Sequence, residues 1–471
     1  MNYFNFFINF IAIFALSWYL ILNLQWYNYK LQRVVLNHHK KVWHLFYFIL
    51  PLALWIVLKE IYFAPILILY LIALYFWAKK LDRNLVYTKR VQRFFIILTI
   101  ILIFGYFFAS KIYFLFAIFL TILLSNLTEK LMFNFYKKIA KRRLNSIKDL
   151  KIVAITASYG KTSIKNFLYH ILKNHFNTYK TPRSVNTIAG LVLDVNMDLP
   201  SNTQIYIAEA GARVKGDIKT IANFLEPQIC VVGTIGEQHI EYFKNLENIQ
   251  NTKKELLSSK RLEKAFVHKS ADSKESLNID IFPKNLEILD SSLDGIRFSF
   301  EINYKKEEFF APILGSFNAI NLSAVILVAN YLKIDIKSIK DSLKTLPQVE
   351  HRLQKIEANG KVIIDDSFNG NFEGMIEAFN LCKTYSGRKV IITPGLVEST
   401  IEANKKIALK IDEVFDFVIL TGSLNIEVLS QNIDKDKIFI LKDKSQMQNI
   451  LASSTKSGDL ILFANDAPNF I

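Results

Sequence analysis

The chain has 471 residues, 51% hydrophobic and 13% aromatic with 38 Phe and 20 Tyr, a composition that excludes a disordered or low-complexity polypeptide. Its net charge of +16 is concentrated in the first third, because residues 1–150 hold 19 Lys/Arg against 4 Asp/Glu and residues 151–471 carry only +1. Two cysteines, Cys230 and Cys382, exclude a multi-bridge disulfide framework and a Cys-rich zinc module.

In chain order, residues 4–25 contain no charge and are long enough to cross a hydrocarbon core, which takes about 20 apolar residues. Further apolar runs lie near 43–58, 61–78, 94–109 and 112–127, so about five spans are expected within residues 1–140. Lys and Arg are retained on the cytoplasmic side during insertion. The link after the first run holds Lys30, Arg33, Lys40 and Lys41, and the link after the third holds Lys79, Lys80, Arg83, Lys89, Arg90 and Arg93. Lys137, Lys138, Lys141, Arg142 and Arg143 follow the last run, while the other two links are nearly bare. This alternation predicts a multi-pass protein of the cytoplasmic membrane, N-terminus outside, with everything after about residue 130 in the cytosol. It makes membrane lipid, and not nucleic acid, the expected partner of the basic clusters.

From Lys151 onward, short β-rich runs alternate with amphipathic stretches, the pattern of parallel α/β domains. Strands are expected at Ile152–Thr156, Ile205–Ala208, Ile229–Val232 and, more weakly, Ala265–His268. The run Lys161–Asn174 spaces Ile164, Phe167, Leu168 and Ile171 as one helical face. A second strand series comprises Val362–Ile364, Val390–Thr393, Phe417–Leu420, Ile438–Leu441 and Leu460–Phe463. The division expected is therefore a helical membrane domain over 1–140, a nucleotide-binding α/β domain over 141–348 and a Rossmann-like domain over 349–471, with the last boundary near Leu346–Glu350.

Between the first strand and the first helix lies Ala157-Ser158-Tyr159-Gly160-Lys161-Thr162-Ser163. Backbone N–H groups at a helix start favour anionic oxygens, a lysine there reaches terminal phosphates, and a hydroxyl beside it suits Mg²⁺. Alone, Gly-Lys-Thr is equally an ordinary turn with a solvated lysine; the flanking strand and helix favour a phosphate loop. Ile155 stands where G-x-x-x-x-G-K-[ST] requires Gly.

This loop resembles that of the Mur ligase family, usually T-G-x-x-G-K-T followed by Ser or Thr, with Ala157 in place of the first Gly. Ala tolerates such a turn only at negative φ. Other segments resemble the family in the same order. Glu209-Ala-Gly211-Ala-Arg-Val-Lys-Gly216-Asp217-Ile is similar to E-x-G-A-x-x-x-G-E-I, which implies that Glu209 and Thr162 hold Mg²⁺. Gly233-Thr-Ile-Gly236-Glu-Gln-His239 resembles N-I-G-x-x-H, and His239 would help hold a second Mg²⁺. Ile249-Gln-Asn-Thr-Lys253-Lys-Glu255 is similar to I-x-x-A-K-x-E, whose lysine is carbamylated and becomes an anionic metal ligand; without the resemblance Lys253 reads as a solvated helix charge. Gly315-Ser-Phe-Asn318-Ala-Ile-Asn321 resembles G-x-[HF]-N-x-x-N, implying that Asn318 and Asn321 lie near the nucleotide.

His351-Arg352-Leu353 resembles G-R-L, with Arg352 on a terminal phosphate or acyl phosphate. Asp365-Asp366-Ser-Phe-Asn369-Gly-Asn371 resembles D-D-x-[YF]-N-x-N, with Asp366 and Asn369 near ribose and base. Thr181-Pro-Arg-Ser-Val-Asn186-Thr187-Ile-Ala-Gly190 resembles a T-P-x-x-x-N-x-x-x-G loop that touches the muramyl-peptide side, and is as readily a plain connecting loop. Thr393-Pro-Gly-Leu-Val-Glu398 resembles a further ligase segment of less definite role.

The resemblance covers residues 150–465 and not the first third, where apolar spans stand in place of the usual UDP-binding domain. It implies an ATP- and Mg²⁺-dependent peptide ligase of peptidoglycan synthesis that adds D-Ala-D-Ala to UDP-MurNAc-tripeptide, with Lys161, Lys253, Arg352 and His239 in catalytic roles. Other enzymes of peptidoglycan synthesis are further candidate partners. Two alternatives remain open at this point: a membrane-associated amide ligase of the poly-γ-glutamate type, and a membrane protein that uses nucleotide as a switch. The charge-free spans weigh against transport.

Overall fold

The computed structural model describes residues 3–36, 40–81, 84–108, 110–237, 243–368, 371–397, 399–422 and 424–465. His239 and Asn369, together with Arg83 and Glu398, lie outside the described residues. The chain divides into two compact units, Met1–Lys137 and Lys138–Ile471.

In the first unit, four helices are long and apolar enough to cross a membrane: α1 (Tyr3–Trp26), α4 (Glu60–Lys79), α5 (Lys89–Phe108) and α6 (Lys111–Ser146, which continues into the second unit). A short α2 (Leu31–Leu36) follows the first of them. The apolar run near 43–58 forms α3 (Val42–Val57), shorter than the other four and wound as a π-helix over Leu45–Ile49. α1 is the centre of this unit, with Ala12, Ile13, Leu16, Tyr19 and Leu22 all buried. One end is tied by polar groups. The Trp55 indole donates to Asn9 Oδ1 at 2.7 Å, Lys111 Nζ donates to the Trp55 carbonyl at 2.8 Å, and Lys111 lies 3.8 Å from Glu60.

The second unit contains two six-stranded sheets. The first has the order β2-β3-β1-β4-β5-β6 and every pairing is parallel. Its strands are β1 (Lys151–Thr156), β2 (Thr178–Lys180), β3 (Ile205–Glu209), β4 (Ile229–Val232), β5 (Lys264–His268) and β6 (Ile279–Phe282). β1, β3 and β4 are buried on both faces, which is why they read as unbroken apolar runs. Helix α7 (Lys161–Leu172) packs Ile164, Phe167, Leu168 and Ile171 against this sheet, together with α11 (Asn318–Tyr331). Between them in sequence lie α8 (Ile188–Met197), α9 (Asp217–Leu225) and α10 (Leu246–Lys254).

A three-stranded antiparallel sheet, β7 (Glu287–Ser292), β8 (Gly295–Ile302) and β9 (Lys305–Ala311), contributes Ile296, Phe298, Phe300 and Phe309 to the same core. After α12 (Ile336–Lys344) comes the second sheet, of order β10-β11-β15-β12-β13-β14. There β10 (Gln354–Ala358) is antiparallel to β11 (Lys361–Asp366), while β12 (Lys389–Thr393), β13 (Phe417–Thr421), β14 (Ile438–Leu441) and β15 (Leu460–Ala464) pair in parallel. The last turns of α6 dock within this unit. Arg143 donates to the carbonyls of Asn196 at 2.7 Å and Leu199 at 2.5 Å, just where α8 ends, and Lys141 pairs with Glu226 at 2.9 Å at the end of α9. Cations suit those positions because helix C-termini present unsatisfied carbonyls.

Candidate active site

Candidate binding residues singled out from the sequence gather at the carboxyl ends of β1 and β3, where open parallel sheets usually place their ligands. Ser158 N donates to Thr234 O at 2.9 Å and its hydroxyl to Gly236 O at 3.0 Å, so the loop after β1 is strapped to the loop after β4. Gly160 is the residue that takes the left-handed backbone, at φ +81°, and a Cβ there would sit 2.3 Å from Asn321 Oδ1. Conformation and close approach both demand glycine at 160. Ala157 is not among the positive-φ residues, so its methyl carries no backbone penalty; it packs where a Cβ on Gly233 would come within 3.0 Å.

Lys161 opens α7 and curls back over its own loop, donating to Ala157 O at 2.6 Å and Ser158 O at 3.0 Å. Its enclosure pushes the ammonium down to about 8; the Glu209 carboxylate partly offsets this and the Arg352 guanidinium adds to it. Thr162 Oγ1 donates to Glu209 Oε2 at 3.3 Å. Glu209 is fully buried at the end of β3, and its other oxygen lies 2.7 Å from Lys165 Nζ. A hydroxyl and a carboxylate side by side at this helix start are hard oxygen donors of the kind Mg²⁺ takes, so these residues fit that ion.

Lys253 is 3% exposed on α10. Burial holds its amine well below the ordinary lysine range and the charge of Lys161 pushes the same way, with Asp217 opposing. Its neighbour Glu255 accepts from Gly216 N at 2.9 Å and Lys219 N at 3.0 Å, closing the N-terminus of α9 from outside that helix. Asn318 and Asn321 are both buried on the first turn of α11, where Asn321 Nδ2 donates to Asn318 Oδ1 at 2.9 Å and Asn318 Nδ2 to Leu314 O at 2.7 Å.

The second sheet supplies Arg352 and the acid pair. Arg352 donates to the Phe368 carbonyl, and its guanidinium lies 5.9 Å from that ring. His351, standing where the family motif has Gly, adopts φ +61° and is anchored by Asp365 Oδ2 at 2.7 Å from its Nδ1. Ser367 occupies the other Asp365 oxygen at 2.6 Å, so Asp365 is engaged in holding the turn that presents Arg352. Asp366 accepts from Leu353 N at 3.0 Å. Asn371 caps helix α13 (Phe372–Lys383) through Gly374 N at 2.8 Å, and Glu377 on that helix accepts from Ser316 N at 2.8 Å, a link between the Gly315 loop and the second sheet.

Asn186 and Thr187 lie on the same rim. Gly211 N donates to Asn186 O at 2.8 Å, and Thr187 caps α8 by accepting from Gly190 N at 3.2 Å. The structure thus assembles Ala157–Ser163, Glu209, Asn321 and Arg352 around one place, to which Lys253 is joined through its interaction with Lys161. Three contributors were not identified from sequence: Lys165, the His351–Asp365 pair and Glu255. Glu255, His351 and Asp365 each lie within a quoted motif, which gave no role to these residues, whereas Lys165 carried no sequence signal.

The Mur ligase middle domain family matches residues 155–329. A UDP-N-acetylmuramoyl-tripeptide–D-alanyl-D-alanine ligase from Bacillus subtilis is 26% identical over 348 residues, covering 69% of this chain and 75% of that protein. The ligase of the same name from Borreliella burgdorferi is 31% identical over 244 residues, 49% of this chain and 52% of that one, so the chain spans about half of the length of that relative. Among solved structures, MurF ligase from Thermotoga maritima in complex with ADP aligns with TM-score 0.61 at 23% identity, over 71% of this chain and 80% of that one, a likeness of fold. The α/β unit thus contains a segment that matches the Mur ligase middle domain and shares the fold of that MurF ligase.

Proposed function

We propose that the protein is an ATP-dependent amide ligase of peptidoglycan precursor synthesis that joins D-Ala-D-Ala to UDP-MurNAc-tripeptide, anchored in the cytoplasmic membrane by α1, α4, α5 and α6 with its α/β unit in the cytosol. The observation that carries this reading is the convergence of Gly160, held against Asn321, with Lys161, Thr162–Glu209 and Arg352.

The loop Ala157–Ser163 receives the triphosphate of ATP, with Asn318, Asn321 and Asp366 toward the nucleoside. Lys161 exchanges the carbonyls of Ala157 and Ser158 for phosphate oxygens. The terminal carboxylate of the tripeptide, presented on the side of Asn186 and Thr187, attacks the γ-phosphorus; the P–O bond to ADP breaks and an acyl phosphate forms. The amine of D-Ala-D-Ala then adds to the acyl carbon, phosphate departs and the amine gives up a proton. Lys161 and Arg352 lower the repulsion between the triphosphate and the incoming carboxylate, a positioning and electrostatic role. Mg²⁺, when bound, supplies further neutralisation of phosphate oxygens, and Thr162 and Glu209 are the residues that would hold it. Lys253, whose amine burial and the Lys161 charge hold well below the ordinary lysine range, is suited to add CO₂; the nitrogen of its free amine bonds the carbon, one proton leaves, and the carbamate would be a further anionic oxygen donor.

Replacement of Lys161 by Ala in cells that depend on this protein tests the reading. UDP-MurNAc-tripeptide accumulates if it holds, and unchanged precursor pools contradict it.

A further inference from the structure

The helix after the phosphate loop bears a second lysine one turn beyond Lys161, and the mechanism above has no use for it. Lys165 is 1% exposed and is one of the largest fully buried side chains among the described residues. Its ammonium lies 2.7 Å from Glu209 Oε1 and also donates to the carbonyl of Arg183. A buried ion pair contributes little net stability compared with apolar packing, so its presence calls for another account. Arg183, at φ +46°, belongs to the loop Thr181–Thr187. That loop is sewn to the same sheet end, with Thr181 N donating to Ile207 O at 3.0 Å and Gly211 N to Asn186 O at 2.8 Å. One buried cation therefore touches both the carboxylate beside Thr162 and the loop that ends in Asn186 and Thr187.

We propose that Lys165 is a positioning residue that makes magnesium nucleotide and the muramyl-peptide acceptor bind cooperatively, an inference that rests on the substrate reading above. A divalent cation at Glu209 takes part of the counter-charge from Lys165. The ammonium then leans on its remaining acceptor, the Arg183 carbonyl, and holds the 181–187 loop more firmly. By linkage, an acceptor that orders this loop fixes Lys165, and so keeps Glu209 turned toward Thr162.

Calorimetry on the full-length protein in detergent tests this. The dissociation constant of UDP-MurNAc-tripeptide is measured alone and with Mg²⁺ and a non-hydrolysable ATP analogue. Wild type is expected to tighten at least about 5-fold with nucleotide; the ratio falls toward one in Lys165→Met and is kept in Lys165→Arg. An equal ratio in wild type and Lys165→Met overturns the proposal. Removing one partner of a buried pair endangers folding, so a second measurement uses wild type alone: magnesium nucleotide should slow amide hydrogen exchange across 181–187, and unchanged exchange there overturns the proposal too. Wild type that binds both ligands independently defeats the coupling alone. Wild type that binds nucleotide but no acceptor defeats the substrate reading and the coupling with it.

Discussion

In the helical unit, Leu69, Phe104 and Phe107 turn outward at 66%, 56% and 76% exposure, whereas on α14 (Ile401–Val414) of the α/β unit the outward side chains include Glu402, Lys405 and Lys406. The interiors differ in the opposite sense. Buried polar residues of the helical unit are neutral, such as Asn9, Ser17, Asn23 and Thr121, while the α/β unit buries Lys165, Glu209, Lys253, Asp365 and Asp366 near its strand ends. An apolar outside over a neutral inside suits lipid as solvent. The second unit places much of its buried charge at the strand ends beside the Ala157–Ser163 loop, and also buries Asp194 against Tyr179 and Tyr206 and Asp459 beside Arg388.

The strongest way to break this contrast is to remove a site charge. Lys161→Ala should leave the fold intact and lower ligase turnover by about 10²-fold or more, read as ADP release; a smaller loss would mean that the buried charges are not gathered for catalysis. Next, an outward lysine should be costly in one unit and harmless in the other. Leu69→Lys is expected to cost about 2.5–3.5 kcal/mol in membrane insertion, scored by protease protection in membrane fractions. Leu409→Lys, at an exposed position of α14, should change stability by no more than about 0.5 kcal/mol.

The third effect is on pH. Free Lys161, depressed to about 8 from 10.5, is charged below that value and neutral above it. The unfolded chain keeps this proton up to its ordinary value, so the group's unfavourable contribution to stability is complete below 8 and relieved as pH rises toward 10.5. Nucleotide affinity moves the other way, falling as pH passes 8. Calorimetry in buffers of different ionisation enthalpy should therefore detect proton uptake on nucleotide binding above that pH, and none in Lys161→Ala. Among the site variants the smallest expected change is from Thr187→Ala, which removes the cap of α8 at about 1 kcal/mol and should weaken acceptor binding more than nucleotide binding.

How legible each part was in the sequence follows from its physics. β1, β3 and β4 are buried on both faces, so their apolar runs announce them. β7–β9 do not: Glu287, Asp290, Lys305, Lys306, Glu307 and Glu308 interrupt the pattern because one side of that antiparallel sheet faces water. β2 offers only Thr178–Lys180, too short for periodicity. In the candidate site, Lys161 and Thr162 were singled out because Gly-Lys-Thr stands at a fixed spacing between a strand and a helix, and the structure has that strand, turn and helix. Lys165 was not, since a lysine beside an apolar helical face reads as solvated, and its partner Glu209 lies on a strand 44 positions away in sequence. The His351–Asp365 bond was hidden for the same reason, since it substitutes a side-chain anchor for the conformational freedom of glycine.

The most direct measurement is ADP release by the full-length protein in detergent or bilayer discs, with substrates omitted one at a time. The account predicts turnover only when ATP, UDP-MurNAc-tripeptide and D-Ala-D-Ala are all present. Turnover without the muramyl acceptor, or none with the complete set and a folded sample, would contradict it.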